Sequence, residues 1–211
     1  MLELSPRQRR YYKTKETILQ TAREIIAEKG PDGLSLRELA RRIDYSPSGL
    51  YEYFNSKEEI VTAVCVEGLG LLSNYLNRVP ADLSPADRLL EMGLAYLDFA
   101  REHPEYFRLI FASLSHEQTH LAKEAMNGDS PYHLLLQAVQ AVIETGEFTV
   151  SEDFDLEDMA FSLWALVHGL AVLEQTHLTK FQQENPTQLY RRALRVFGEG
   201  LRNKNFLPDN S

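Results

Sequence analysis

The chain has 211 residues, 44% hydrophobic and 25% charged, with a net charge of −9; this excludes a disordered chain, a collagen-like period and a repeat array. A single cysteine, Cys65, excludes an internal disulfide or a Cys-rich zinc module, and MLELSPRQRRYYKTK lacks the apolar run of a signal peptide, so a soluble cytoplasmic protein is expected. The charge is unevenly divided: residues 1–57 carry 11 Lys+Arg against 8 Asp+Glu, and residues 58–211 carry 11 against 23.

Taken in chain order, the elements read as helices. Ile18, Ala22, Ile25 and Ile26 recur at helical spacing and predict an amphipathic helix over 14–29, ended by Gly30-Pro31-Asp32-Gly33. Ser35-Leu36-Arg37-Glu38 reads as a capping box, in which the serine oxygen accepts from a first-turn N–H and Glu38 reaches back to the cap. That helix runs to about Ile43. Ser46-Pro47 opens a short helix ending near Phe54, and Ser56-Lys57-Glu58-Glu59 is a second capping box before a long apolar helix. Ser84-Pro85, Ser130-Pro131 and Asn185-Pro186 repeat the cap-proline start, and Pro104 predicts a break. Residues 148–150 read as a short strand. Met159 to Leu173 is apolar on all sides but short of the roughly 20 residues a membrane span needs, so a buried helix over 156–176 is expected, covered by a second subunit.

Residues 35–54 place two short helices about a turn near Asp44-Tyr45. In a helix-turn-helix the first helix crosses the DNA backbone and the second enters the major groove. Leu50 and Phe54, four apart, face inward, whereas Ser48, Tyr51 and Tyr53 lie at other azimuths. Tyrosine hydroxyls and Lys57 suit phosphate contacts. Spacing alone does not separate this arrangement from two helices of an ordinary bundle. The basic cluster Arg7, Arg9, Arg10, Lys13 and Lys15 on an acidic body suits docking to a polyanion, with Arg9 and Arg10 reaching a neighbouring groove.

The residues themselves go further. ILQTAREIIAEKGPDGLSLRELARRI, SPSGLYEYF and NSKEEI together resemble the TetR family of bacterial transcriptional regulators over Thr14 to Glu67, about a quarter of the chain. Asp44 stands where many members carry glycine, at a turn position expected to take positive φ, which Asp tolerates better than most residues. The resemblance implies that Ser35 and Arg37 touch the DNA backbone. It places Pro47, Ser48, Gly49, Tyr51 and Tyr53 in or beside the groove, with Lys57 on phosphate. The second helix has no Arg, Asn or Gln for bidentate base reading, so specificity rests on close packing, thymine methyls or DNA shape.

FSLWALVHGLAVLE and HPEYFRLIF are similar to a C-terminal type of the same family marked by a Trp followed by His-Gly. The fold expected is all-α. An N-terminal helix-turn-helix three-helix DNA-binding domain with a basic arm (1–57) precedes a helical effector-binding and dimerisation domain (58–211). Tyr96, Phe99, Phe107, Ile110, Phe111, Trp164 and His168 are candidates for a cavity taking a small apolar or aromatic effector, although most such residues are plain core. A last helix over 187–203 and the apolar helix before it supply the expected homodimer surface through Trp164, Val167, Ala171, Tyr190, Ala193, Leu194 and Phe197. The partners expected are a double-stranded DNA operator, the effector and a second copy of the chain, with no membrane, cofactor or metal. The function expected is that of a ligand-responsive repressor. The rival classes are a zinc hydrolase built on His116-Glu117-Gln118-Thr119-His120, which matches HExxH but lacks a third ligand, and a helical protein-interaction module without DNA.

Overall fold

A computed structural model describes residues 4–113, 130–151, 153–176 and 186–202. The helices among them are α1 (Pro6–Lys29), α2 (Leu36–Arg42), α3 (Pro47–Leu50), α4 (Lys57–Asn77), α5 (Pro85–Glu102), α6 (Pro104–Ser113), α7 (Pro131–Glu144), α8 (Leu156–Glu174) and α9 (Pro186–Arg202). The serine-before-proline starts are made as expected: the Oγ atoms of Ser46, Ser84 and Ser130 accept from the N–H groups of Gly49, Asp87 and His133. His103 caps α5, and α6 starts at Pro104. No strand forms over 148–150: Phe148 is buried, and the segment continues into a single bridge between Ser151 and Phe154.

The first helix departs most from expectation. It starts at Pro6, eight residues before the predicted 14, and continues the basic segment as helix. Ser5 and Gln8 form a complete capping box, with Gln8 N donating to Ser5 Oγ at 3.3 Å and Ser5 N to Gln8 Oε1 at 2.9 Å. The signal was the same serine-proline pair that opens α3, α5 and α7; apolar periodicity missed it because these turns have no core to face.

The described residues fall into two compact units, one within Met1–Leu69 and Glu105–Asn127, the other within Gly70–Pro104 and Gly128–Ser211. The first unit is built on Ile18, Ala22, Ile25, Leu39, Leu50, Phe54, Ile60, Val64 and Leu109, all buried in one cluster. α4 is continuous through residue 58, and its Ile60 and Val64 share this core with α1 to α3. Gly68 on α4 admits α6: a Cβ there would lie 2.7 Å from Tyr106 Cδ1 and 3.0 Å from Ile110 Cδ1. Cys65 is buried in the same core, and burial pushes its thiol up to about 12, so it is inert.

In the second unit α5 packs against α7, α8 and α9. Leu97, Phe99, Val139, Met159, Leu163, Tyr190 and Leu194 are buried there. Arg101 pairs with Glu174, Arg191 with Glu91 and Arg202 with Glu147.

Candidate nucleic-acid interface

The turn between α2 and α3 is set by Asp44, whose φ of 55° makes it the only non-glycine residue with positive φ among the described residues. This is the left-handed conformation expected from the sequence, and it lets Tyr45 N donate back to Ala40 O at 2.9 Å. Ser35 caps α2, accepting from Glu38 N at 3.2 Å. The other half of the expected capping box is not made. The Glu38 carboxylate instead accepts from Arg41 and Arg42 on its own helix and from Lys29 at the end of α1. These cations, Arg41 foremost, pull the Glu38 carboxyl down to about 2. Arg42 also reaches Glu28, so α2 is tied to α1 by charge as well as by its apolar face. Ser56 caps α4 through Glu59 N at 3.1 Å, but Glu59 closes its loop on Asn55, accepting from its N–H and side-chain amide.

α3 is anchored from below and presented above. Leu50 and Phe54 are buried, while Pro47, Ser48 and Tyr51 are exposed, Tyr51 by 56%. Ser46 Oγ accepts from Gly49 N at 3.0 Å and lies 3.0 Å from Ser48 Oγ. A Cβ on Gly49 would meet Ser46 Oγ at 3.2 Å and Tyr45 Cδ1 at 3.4 Å, so glycine here keeps the cap tight. Ser35 and Arg37 are exposed on α2, and Lys57 is half-buried in the first turn of α4.

Tyr53, expected in or beside the groove, is less exposed than Tyr51. It is half-buried, packs against the core, and its ring stacks on Tyr11 of α1 with centroids 5.0 Å apart. Arg9 and Arg10 are exposed, and Arg10 Nε turns back to Pro6 O at 3.4 Å. The interaction of α1 with the end of the reading segment went unread because it joins residues 42 apart in sequence.

The candidate effector residues divide between the units. Phe107, Ile110 and Phe111 lie on α6 in the first unit, with the Phe107 and Phe111 rings 5.1 Å apart. In the second unit three are brought together: Tyr96 Oη lies 2.9 Å from His168 Nδ1, and Trp164 Nε1 donates to Tyr96 Oη at 3.4 Å. Tyr132, unsuspected from sequence, adds its ring 5.9 Å from Trp164. Burial pushes the Tyr96 phenol up and the His168 imidazole down, so both are neutral at neutral pH. Phe99 lies instead against Tyr75 and His103. Such a set offers a few hydrogen-bonding handles in an apolar surround. His116 and His120 of the HExxH pattern lie outside the described residues.

Two family models match the chain. One, described as bacterial regulatory proteins of the tetR family, covers residues 18–64; the other, the tetracyclin repressor-like C-terminal domain, covers residues 89–197. The chain belongs to the TetR family. The TetR-family chain is 24% identical over 179 residues to the uncharacterized HTH-type transcriptional regulator YobS of Bacillus subtilis strain 168, covering 75% of this chain and 93% of that one. A bacterial regulatory protein of the tetR family from Rhodococcus RHA1 shares the fold with a TM-score of 0.69, 22% identity and coverage of 90% of this chain and 97% of that one. AibR, solved in complex with isovaleryl coenzyme A and operator DNA, shares it with a TM-score of 0.65, 20% identity and coverage of 88% and 98%. The protein is therefore an all-helical, helix-turn-helix transcriptional regulator, and such regulators are not enzymes.

In this TetR-family chain the residues expected at a dimer surface are largely used by its own second unit. Val167, Ala171, Tyr190 and Leu194 are buried inside it, because they form the stripes of α8 and α9 that face inward. Trp164, Ala193 and Phe197 are half-buried. The large apolar side chains left outside on these two helices are Phe161, Val172 and Leu173 on α8 and Val196 on α9, exposed by 59%, 42%, 50% and 73%. By length and composition α8 and α4 both reach membrane-spanning size, because α8 runs beyond the apolar stretch read from sequence. Each nevertheless carries buried side chains facing protein: Met159, Leu163 and Val167 on α8, and Ile60, Val64 and Leu72 on α4.

Proposed function

We propose that this regulator is a cytoplasmic homodimeric repressor that binds a palindromic operator and releases it when a small effector occupies the C-terminal part of the chain. The observation that carries the DNA half is the presentation of α3. A short helix, capped by Ser46 and pinned by Leu50 and Phe54, holds Pro47, Ser48 and Tyr51 out to solvent. In this reading residues 1–57 do the DNA work: Ser35, Arg37 and Lys57 touch the backbone, and Pro47, Ser48, Gly49 and Tyr51 enter the groove. Two-fold symmetric dimers read two half-sites one helical turn apart.

Residues 58–211 carry effector and partner. The Tyr96–His168–Trp164 cluster supports a medium-sized, largely apolar effector that takes one or two hydrogen bonds. The likeness to AibR, crystallised with isovaleryl coenzyme A, is compatible with an acyl compound. Release follows if the effector binds better to the conformer whose two reading helices are wrongly spaced for the operator, and the coupling equals that difference in affinity. Phe161, Val172, Leu173 and Val196 support a second copy as the cover for α8 and α9.

Selection of bound duplexes from a randomised library by the purified protein tests the reading. An enriched palindrome with half-sites about one turn apart supports it, as does release of that duplex by an acyl or aromatic compound. Enrichment only when such a compound is present reverses the sign and makes the effector a co-repressor.

A further inference from the structure

We infer that the N-terminal turns of α1 form a rigid DNA-backbone clamp, in which Arg7 binds a phosphate and Tyr11, stacked on Tyr53, is the positioning residue that aims it. The inference rests on the operator-binding reading above.

The twelve residues from Pro6 to Thr17 precede the first core residue of α1, Ile18, and span about 18 Å of helix. An isolated helix of that length is marginal in water, so something must hold it. The Ser5–Gln8 box secures one end. The rest is held from the side by the residues that follow α3. The Tyr11 ring lies on Tyr53 at 5.0 Å with 26° between planes, and Lys15 Nζ sits 4.8 Å from the centre of the Phe54 ring. Tyr45 meets Tyr53 edge-on at 6.3 Å, and Tyr12 meets Tyr11 edge-on at 5.7 Å. Tyr11, Tyr12 and Tyr45 nevertheless remain 39–56% exposed, so the cluster is a surface as well as a joint.

These contacts fix the azimuth of α1. Tyr11 and Lys15, four apart, share the face turned to Tyr53 and Phe54; toward the N-terminus that face carries Gln8, which is tied into the Ser5 cap, and Arg7. Arg9, two positions from Tyr11, lies on the other side of the helix, and Arg10 Nε bonds back to Pro6 O. Arg7 and Lys15 put two cations on this face in a chain of net charge −9, so it suits a polyanion. The occupant is duplex backbone flanking the groove that α3 enters, with the tyrosine hydroxyls as further phosphate donors.

The test is the salt dependence of binding to the selected operator duplex, followed by fluorescence anisotropy between about 50 and 200 mM salt. Arg7→Ala is expected to lower the slope of log affinity against log salt by about 1.8 per dimer, one phosphate for each subunit. Tyr11→Ala gives the same drop, Tyr11→Phe retains the wild-type slope, and combining Arg7→Ala with Tyr11→Ala adds nothing. Arg9→Ala leaves the slope unchanged. Arg7→Gln, which leaves the stack intact, repeats the Arg7→Ala result and separates lost charge from lost helix. The inference is overturned if Arg9→Ala matches Arg7→Ala, if Tyr11→Phe behaves as Tyr11→Ala, or if the two losses add. If the wild type binds and Tyr51→Ala weakens it while Arg7→Ala keeps the full slope, the clamp fails and the operator reading stands. If the wild type selects no duplex with or without effector, both fail.

Discussion

Tyr51 and Lys57 test the reading segment one side chain at a time. Tyr51 is exposed and outside the core, so Tyr51→Ala should weaken operator binding about tenfold, roughly 1.4 kcal/mol, with an unchanged melting temperature. Lys57→Ala should cost less and lower the salt slope by about 0.9 per subunit. Wild-type affinity in both would put the reading helix elsewhere. Asp44 belongs to the same scale. Left-handed backbone costs a non-glycine residue about 1–2 kcal/mol, least for Asp and Asn. Asp44→Gly should therefore leave stability unchanged or raise it by up to about 1 kcal/mol, and Asp44→Val should lower it by about 1–2 kcal/mol in denaturant titration. His168 is held neutral by burial. A base whose folded value lies below its unfolded one binds its proton less readily in the native state. Its stabilisation is complete above the unfolded value near 6.5 and is lost as pH falls through the lowered folded value. The melting temperature should therefore fall between about pH 7 and pH 5, and the His168→Gln variant should fall less over that window.

Among elements, the packing of α6 on α4 turns on Gly68. Alanine would gain helix propensity of about 1 kcal/mol but would press on Tyr106 and Ile110. A larger side chain has no such compromise, so Gly68→Val should destabilise the first unit by about 1–3 kcal/mol, read by chemical denaturation. The capping patterns show how a local rule is redirected by neighbours. Glu38 stands at the right spacing to close a box on Ser35, yet Lys29 from α1 and two arginines of α2 hold it. Glu59 closes on Asn55 rather than on Ser56. In both cases the serine half of the motif survived, because it needs only its own first turn. The glutamate half yielded to partners outside the motif.

For the whole molecule, the apolar surface left by α8 and α9 makes the strongest demand. Phe161, Val172, Leu173 and Val196 lie outside the core of a single chain. Phe161→Glu with Val172→Glu should shift the protein from dimer to monomer in sedimentation and weaken operator binding, while leaving the helical content intact. An unchanged dimer would put the interface on another face.

Helix starts after α1, the short helix pair, the inward pair Leu50 and Phe54, and the positive φ of Asp44 were all legible in the chain. Each is decided by residues within about four positions of one another, where capping, turn preference and helical periodicity act. The exposure of Ser48 and Tyr51 was legible for the same reason, since the anchored face of a short helix defines the presented one. Other features came only with the folded chain. Val167, Ala171, Tyr190 and Leu194 carry the apolar character of a subunit interface and of a core alike; burial against α5 and its neighbours decided for the core. Tyr53 stacks on Tyr11, 42 residues earlier, a contact that no local pattern of the chain announces. Such choices depend on which surfaces meet after the chain has doubled back, and hydrophobicity, being without direction, does not say in advance which apolar face will be covered by which partner.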